Sequence, residues 1–127
     1  MIDEELNEAV ARKLGWKNLG PLKNPRTHET RPNLEGTIPD SMRQAFLRAN
    51  PKGWISETYT EAVPAYSTDI KAAWEIVEHA RSEYEFSMNS SPKEFWARFT
   101  GPTWKQVAEG RADIAPRAIC KAFLKLP

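Results

Sequence analysis

From Ile70 onward the apolar residues Ile70, Ala73, Trp74, Val77 and Ala80 recur at intervals of three and four, while Lys71, Glu75, Glu78 and Arg81 take the other face. This spacing predicts an amphipathic helix. Ala72 and Ile76 widen its apolar arc beyond a narrow seam, which suits packing on a sheet. Ahead of it, Pro64 biases Val63 toward extended backbone. Ser67 or Thr68 can accept from the first-turn amides, and Asp69 puts negative charge at the positive end of the helix dipole. Trp74 is expected in the core, where full burial would remove about 200 Å² from water, roughly 5 kcal/mol before side-chain entropy is subtracted.

Other segments carry their own periods. Residues 3–14 read as a helix with Ile2, Leu6, Ala9, Val10 and Leu14 as its stripe, acids first and Arg12 and Lys13 last. Gly15 stands where a C-cap belongs, and Trp16 can fold back on the stripe. Asp40 caps a short helix over roughly 41–49, and 54–60 is rich in β-formers. Tyr84, Phe86 and Met88 alternate with Glu83, Glu85 and Ser87 as in a half-buried strand. Residues 91–100 pull two ways. Ser91-Pro92-Lys93-Glu94 resembles a helix start, but Phe95, Ala97 and Phe99 alternate with Trp96 and Arg98, and Gly101-Pro102 ends the run too soon for a helix. A strand is favoured. Thr103 to Ala108 gives a third strand with Gly110 as its turn. Asp113 caps a last helix to about Lys125, with Ile114, Ala118, Ile119, Ala122, Phe123 and Leu126 inward and Cys120 beside them.

The expected fold is α+β: a small antiparallel sheet of about three to four strands packed against helices, in the order α–(loop, short α)–α–β–β–β–α. The 127 residues suit one domain, 1–127, in which 17–62 is an enlarged connection broken by Pro21, Pro25, Pro32 and Pro39 and carrying the short helix.

Charge and cysteine content narrow the function classes. Eighteen basic and 17 acidic residues leave a net charge of +1, so no global field favours nucleic acid or an anionic membrane. Locally, residues 17–53 hold seven basic residues against three acids. The single cysteine rules out an internal disulfide and a cysteine-based zinc site. Asp3, Glu4 and Glu5 near the start are unlike a signal peptide, and no apolar run approaches the ~18 residues of a membrane span. A cytoplasmic protein is expected.

The run Val63-Pro64-Ala65-Tyr66-Ser67-Thr68-Asp69-Ile70, with Ala73-Trp74-Glu75-Ile76-Val77-Glu78 after it, resembles the hallmark of the phage ABA-sandwich domain family. So does Ala115-Pro116-Arg117-Ala118-Ile119-Cys120-Lys121-Ala122-Phe123-Leu124, and the Leu6–Trp16 helix is similar to the family's opening. The resemblance implies a small α/β protein of bacteriophages and prophages, acting in the cytoplasm of an infected bacterium. It implies no activity.

Motifs for chemistry do not emerge. The chain lacks a Gly-rich phosphate loop, a Gly-x-Ser-x-Gly elbow and a His-Glu-x-x-His pair. Ser67, Asp69 and His79 could suggest a triad, but His79 stands about three helical turns from the cap. No catalytic residue, metal site or cofactor is expected. Trp54, Tyr59 and Trp104, outside the strongly periodic segments, are candidates for an exposed aromatic contact surface. Tyr66 could join them, although packing next to the cap is favoured. Arg111, Arg117 and Lys121 could converge as an anion contact at the amino end of the last helix, against the commoner alternative of paired surface charge. The expected role is a non-enzymatic accessory protein that binds a host or viral macromolecule or a small regulatory ligand. A protein or small-ligand partner is favoured over nucleic acid. The alternative is nucleic-acid binding through the last helix and the basic 17–53 segment, since helix–three strands–helix is the order of double-stranded RNA-binding domains.

Overall fold

The computed structural model describes residues 2–21, 34–53, 60–102 and 107–127. Its elements, in order, are α1 (Asp3–Leu14), β1 (Lys17–Pro21), β2 (Leu34–Thr37), α2 (Asp40–Ala49), β3 (Thr60–Ala62), α3 (Ile70–Ala80), β4 (Glu85–Ser90), β5 (Phe95–Thr100), β6 (Val107–Ala112) and α4 (Ala115–Leu124). The chain is α+β, with two separate antiparallel sheets, β1-β2-β3 and β4-β5-β6. It resolves into two compact units. One takes the chain up to Val10 and from Pro64 onward, the other Ala11–Val63.

In the first unit β5 lies between β4 and β6, with Phe86 opposite Phe99 and Phe99 opposite Ala108. Side chains alternate across a strand, so Phe86, Phe95, Ala97, Phe99, Ala108, Gly110 and Ala112 share one face. Helix α4 packs on that face over β5 and β6, and α3 lies beside α4. Phe99 is fully buried at the centre. Its ring is 5.2 Å from Phe86 and 6.5 Å from Phe123, and the string continues from Phe86 to Trp74 at 5.9 Å and from Phe123 to His79 at 6.1 Å. Edge-on and tilted pairs at these separations are favourable for aromatic rings.

Several expectations need correcting here. Trp74 is 49% exposed rather than sealed in the core. The buried stripe of α3 is Ala72, Ala73, Ile76, Val77 and Ala80, which rotates the inward face away from Ile70 and Trp74. Three alanines let the helix settle close to its neighbours, and Trp74 covers the flank, edge-on to Phe86. The α3 cap is Asp69, whose carboxylate accepts from the Lys71 amide at 3.0 Å. Ser67 instead lies buried in the preceding turn, its amide donating to Asn7 Oδ1 at 2.8 Å. The N-cap of α4 is Ile114, which has no capping side chain, because Asp113 is turned toward Arg117.

Residues 95–100 form a strand as favoured. The Ser91 hydroxyl still accepts from the Lys93 and Glu94 amides at 3.3 Å, so the capping pattern is spent on a turn between β4 and β5. Gly110 is not a turn residue. It sits in the middle of β6, opposite Ala97, directly under α4. A Cβ there would collide with the Ala118 carbonyl oxygen and the Ala122 amide nitrogen, and would come within 2.8 Å of Lys121 Cβ. Two backbones touch at this point, and only hydrogen fits between them.

In the second unit the described residues include three short strands that pair antiparallel. Glu35 faces Gly20 of β1 on one side and Ala62 of β3 on the other. Gly15, at φ +104°, ends α1 as expected, with Trp16 N–H donating to Ala11 C=O at 3.0 Å and Trp16 buried. Gly36 leaves room for Leu19, the Lys17 carbonyl and the Trp16 ring, its Cβ position lying 2.7 Å from Leu19 Cδ2. Asn18, at φ 55°, takes up the register shift in β1 and donates to Thr37 Oγ1 at 3.1 Å. The short helix appears where expected. The β-rich stretch 54–59 lies outside the described residues, and Thr60 begins β3.

Gly110→Ala should destabilise the chain by about 1–3 kcal/mol, although alanine normally suits a strand better than glycine. Urea unfolding followed by circular dichroism checks this. Stability equal to or above wild type would show that α4 can lift off β6 without cost.

Candidate binding face

The face of β4-β5-β6 away from α4 is built from the alternate residues of each strand. The register places Ser87, Arg98 and Glu109 in one row and Asn89, Trp96 and Arg111 in the next. Cross-strand neighbours on one face stand within side-chain reach, so the rows interact. Arg98 Nη2 donates to Glu109 Oε2 at 2.8 Å, and Arg111 Nε to Glu109 Oε1 at 3.0 Å. The Arg111 guanidinium lies 5.3 Å from the centroid of the Trp96 ring. Trp96 Nε1 donates to Glu94 Oε1 at 2.7 Å, and Arg111 Nη1 comes within 3.9 Å of that oxygen. Hydrogen bonds from Arg98 and Arg111 hold the Glu109 carboxyl below the usual range for a glutamate. Ser87, Asn89, Trp96, Arg98, Glu109 and Arg111 line an open depression of about 310 Å³. This surface offers an aromatic plane, oriented guanidiniums, an amide and a hydroxyl. It suits recognition of polar groups on a broad partner.

The residues singled out in the sequence fall elsewhere. Trp54, Tyr59 and Trp104 lie outside the described residues. Tyr66 is 1% exposed, so it packs in the core, the favoured of its two readings, and takes no part in a contact surface. Arg111, Arg117 and Lys121 do not converge as an anion contact, and the commoner alternative, paired charge, is what the structure shows. Arg117 is clasped on one side by Asp3, with Nε to Oδ1 and Nη2 to Oδ2 both at 2.8 Å, and on the other by both oxygens of Asp113 at 2.9 Å. Those carboxylates raise the Arg117 pKa further, and Arg117 holds Asp113 below the usual aspartate range. Lys121 Nζ donates to the Arg111 carbonyl at 3.2 Å and Lys125 Nζ to the Glu109 carbonyl at 2.6 Å. Of that trio only Arg111 belongs to the outer face. Trp96, Arg98, Glu109 and Asn89 were missed. The available signal was the alternation of Trp96 and Arg98 with Phe95, Ala97 and Phe99, which gives β5 one polar-aromatic side.

Cys120 is buried, and burial, with the charge of Asp3 adding to it, pushes its thiol up to about 12. Among the described residues no group of three or more His, Cys, Asp or Glu side chains is placed to hold a metal ion. No helix among them is long and apolar enough to cross a membrane.

Comparison with known proteins identifies the fold. The family model of the phage ABA sandwich domain matches residues 10–124. The fold is similar to that of a phage protein from Bacillus cereus ATCC 14579, seen in a 2.0 Å crystal structure. The TM-score is 0.58 at 20% identity, over 98% of this chain and 91% of that one. Among curated proteins there is no match.

Acid should loosen the first unit through these ion pairs. Asp113 and Glu109 titrate lower in the folded chain than in the unfolded one, so folding favours their ionised forms. Their contribution is complete above the ordinary carboxyl values and is lost as pH falls through the depressed ones. The melting temperature should therefore drop below about pH 4, and Arg117→Met should flatten that acid limb while lowering stability at neutral pH. A differential scanning fluorimetry series in pH checks both. An unchanged acid limb in the variant would show that the Arg117 pairs contribute nothing.

Proposed function

Because the chain belongs to the phage ABA sandwich domain family, we propose that it is a non-enzymatic accessory protein of phage infection, acting in the cytoplasm of the infected bacterium. It binds a protein partner through the outer face of β4-β5-β6. The observation that carries this reading is the Trp96–Arg111 stack beside the Arg98–Glu109 pair, in an open depression rather than an enclosed pocket. Tryptophan and arginine are enriched among the few residues that carry most of the energy at protein interfaces, and a small ligand is usually enclosed far more completely. The carboxylates and guanidiniums of the face neutralise one another, an arrangement that orients them for contact. Trp96→Ala should weaken the complex at least tenfold, about 1.4 kcal/mol or more. The check is to recover partners from infected-cell lysate with wild-type protein and titrate the purified partner against both forms. Equal affinity for the variant, with its melting temperature unchanged, would overturn the assignment of the face.

Nucleic-acid binding is the second reading. Supporting it, α3-β4-β5-β6-α4 has the element order of double-stranded RNA-binding domains. Against it, the basic groups of α4 are engaged within the protein: Arg117 with two aspartates, Lys121 and Lys125 with strand carbonyls. A mobility shift of duplex RNA should be weak and should not show the steep loss with rising salt that a phosphate interface requires. A tight complex that dissolves between 50 and 200 mM salt, roughly the range over which such interfaces fail, would reverse the order of the two readings.

A further inference from the structure

The two edges of the β4-β5-β6 sheet are treated differently. At β6, Lys125 and Lys121 donate to the Glu109 and Arg111 carbonyls, closing that edge with side chains from α4. Those two carbonyls point away from β5, so the hydrogen-bonded partners of β5 are Ala108, Gly110 and Ala112. Alternation along the ladder then directs Trp96, Arg98 and Thr100 to β4, and Glu85, Ser87 and Asn89 bond inward. Phe86, Met88 and Ser90 are left presenting their N–H and C=O groups outward. Among the described residues nothing pairs with them.

The flank next to this edge is apolar. Trp74, Ile70 and Met88 are 49%, 53% and 36% exposed, and Trp74 stands edge-on to Phe86. On α3, Lys71 and Glu78 are seven residues apart, so both lie on one side of the helix with Trp74 between them. Glu75 shares that side, and Glu78 is also met by Arg81 of its own chain at 3.3 Å, so an antiparallel neighbour would bring each Lys71 to the acidic end of the other copy's helix. The strand is self-complementary. Centred on Ser87, an antiparallel pairing of two β4 strands puts Phe86 opposite Met88 on the helix side and Glu85 opposite Asn89 on the outer side, with no like charges facing.

We propose that the chain forms a two-fold dimer through β4, joining two three-stranded sheets into one of six strands and covering Trp74 against the second copy. Phe86 and Met88 of each copy exchange main-chain hydrogen bonds, and Ser87 meets Ser87 as a non-hydrogen-bonded pair. Such a pair has its Cα atoms about 4.5 Å apart, within the disulfide range. The seam adjoins the outer-face depression, whose rim includes Ser87, Met88 and Asn89, but it uses the main-chain edge of β4, whereas the outer-face contact rests on Trp96 and Arg111.

Light scattering of the full chain should give twice 14.5 kDa, and Met88→Pro, which removes an outward N–H and no hydrogen bond within the sheet, should give a monomer with unchanged circular dichroism. Oxidation with copper phenanthroline tests the register, since buried Cys120 stays silent. Ser87→Cys should cross-link to itself, whereas Glu85→Cys and Asn89→Cys should cross-link only when mixed. A wild-type monomer at 100 µM, roughly the concentration of the measurement, would overturn the proposal. A dimer in which Ser87→Cys fails to cross-link, or one that survives Met88→Pro, would overturn it as well. Loss of partner binding in Trp96→Ala leaves all these readouts unchanged, so the two assignments fail separately.

Discussion

Helix α4 lies backbone to backbone on β6 because Gly110 carries no side chain where Ala118 and Ala122 pass. The height of the helix above the sheet follows from that contact, and much else follows from the height. Phe123 reaches the ring of Phe99, and Lys121 and Lys125 reach over the strand to its outward carbonyls. Arg117 comes out at the level where Asp3 and Asp113 grip it from both sides. Interiors packed to crystal density transmit such a displacement instead of absorbing it.

The periodic segments were legible in the sequence, and the elements that depend on tertiary contact were not. Helices 3–14 and 70–80 announced themselves through apolar spacing, and the Gly15–Trp16 cap through chemistry that needs no distant partner. Trp74 is large yet half exposed, because size does not decide burial on this helix. In α3 the small residues Ala72, Ala73 and Ala80 go inward, where closeness matters more than area, and the large ring covers the side. Gly110 read as a turn because a glycine that admits a helix looks the same in one dimension as a glycine that reverses the chain. Between 17 and 62 prolines and glycines concealed three short strands, since strands of three to five residues carry too few positions to show a period of two.

The candidate face was less legible than the fold, for a related reason. Arg98, Glu109 and Arg111 become one network only through the register of β5 with β6. Register depends on which residues α4 buries, and that is not a local property. Arg111 was legible as a surface cation, but its stacking on Trp96 was not. Tyr66 was legible the other way: an aromatic beside a helix cap favours packing, and the chain buries it.

The lysines of α4 also limit how large an assembly this sheet can seed. Chains that expose a strand at both margins can add neighbours without end, the route to ribbons and fibres. Here Lys121 and Lys125 plug one margin with ammonium groups, so a strand accepted at β4 finds no second vacancy across the sheet. With that margin closed, addition at β4 would end after one neighbour, and the closure rests on two side chains from the helix behind the sheet.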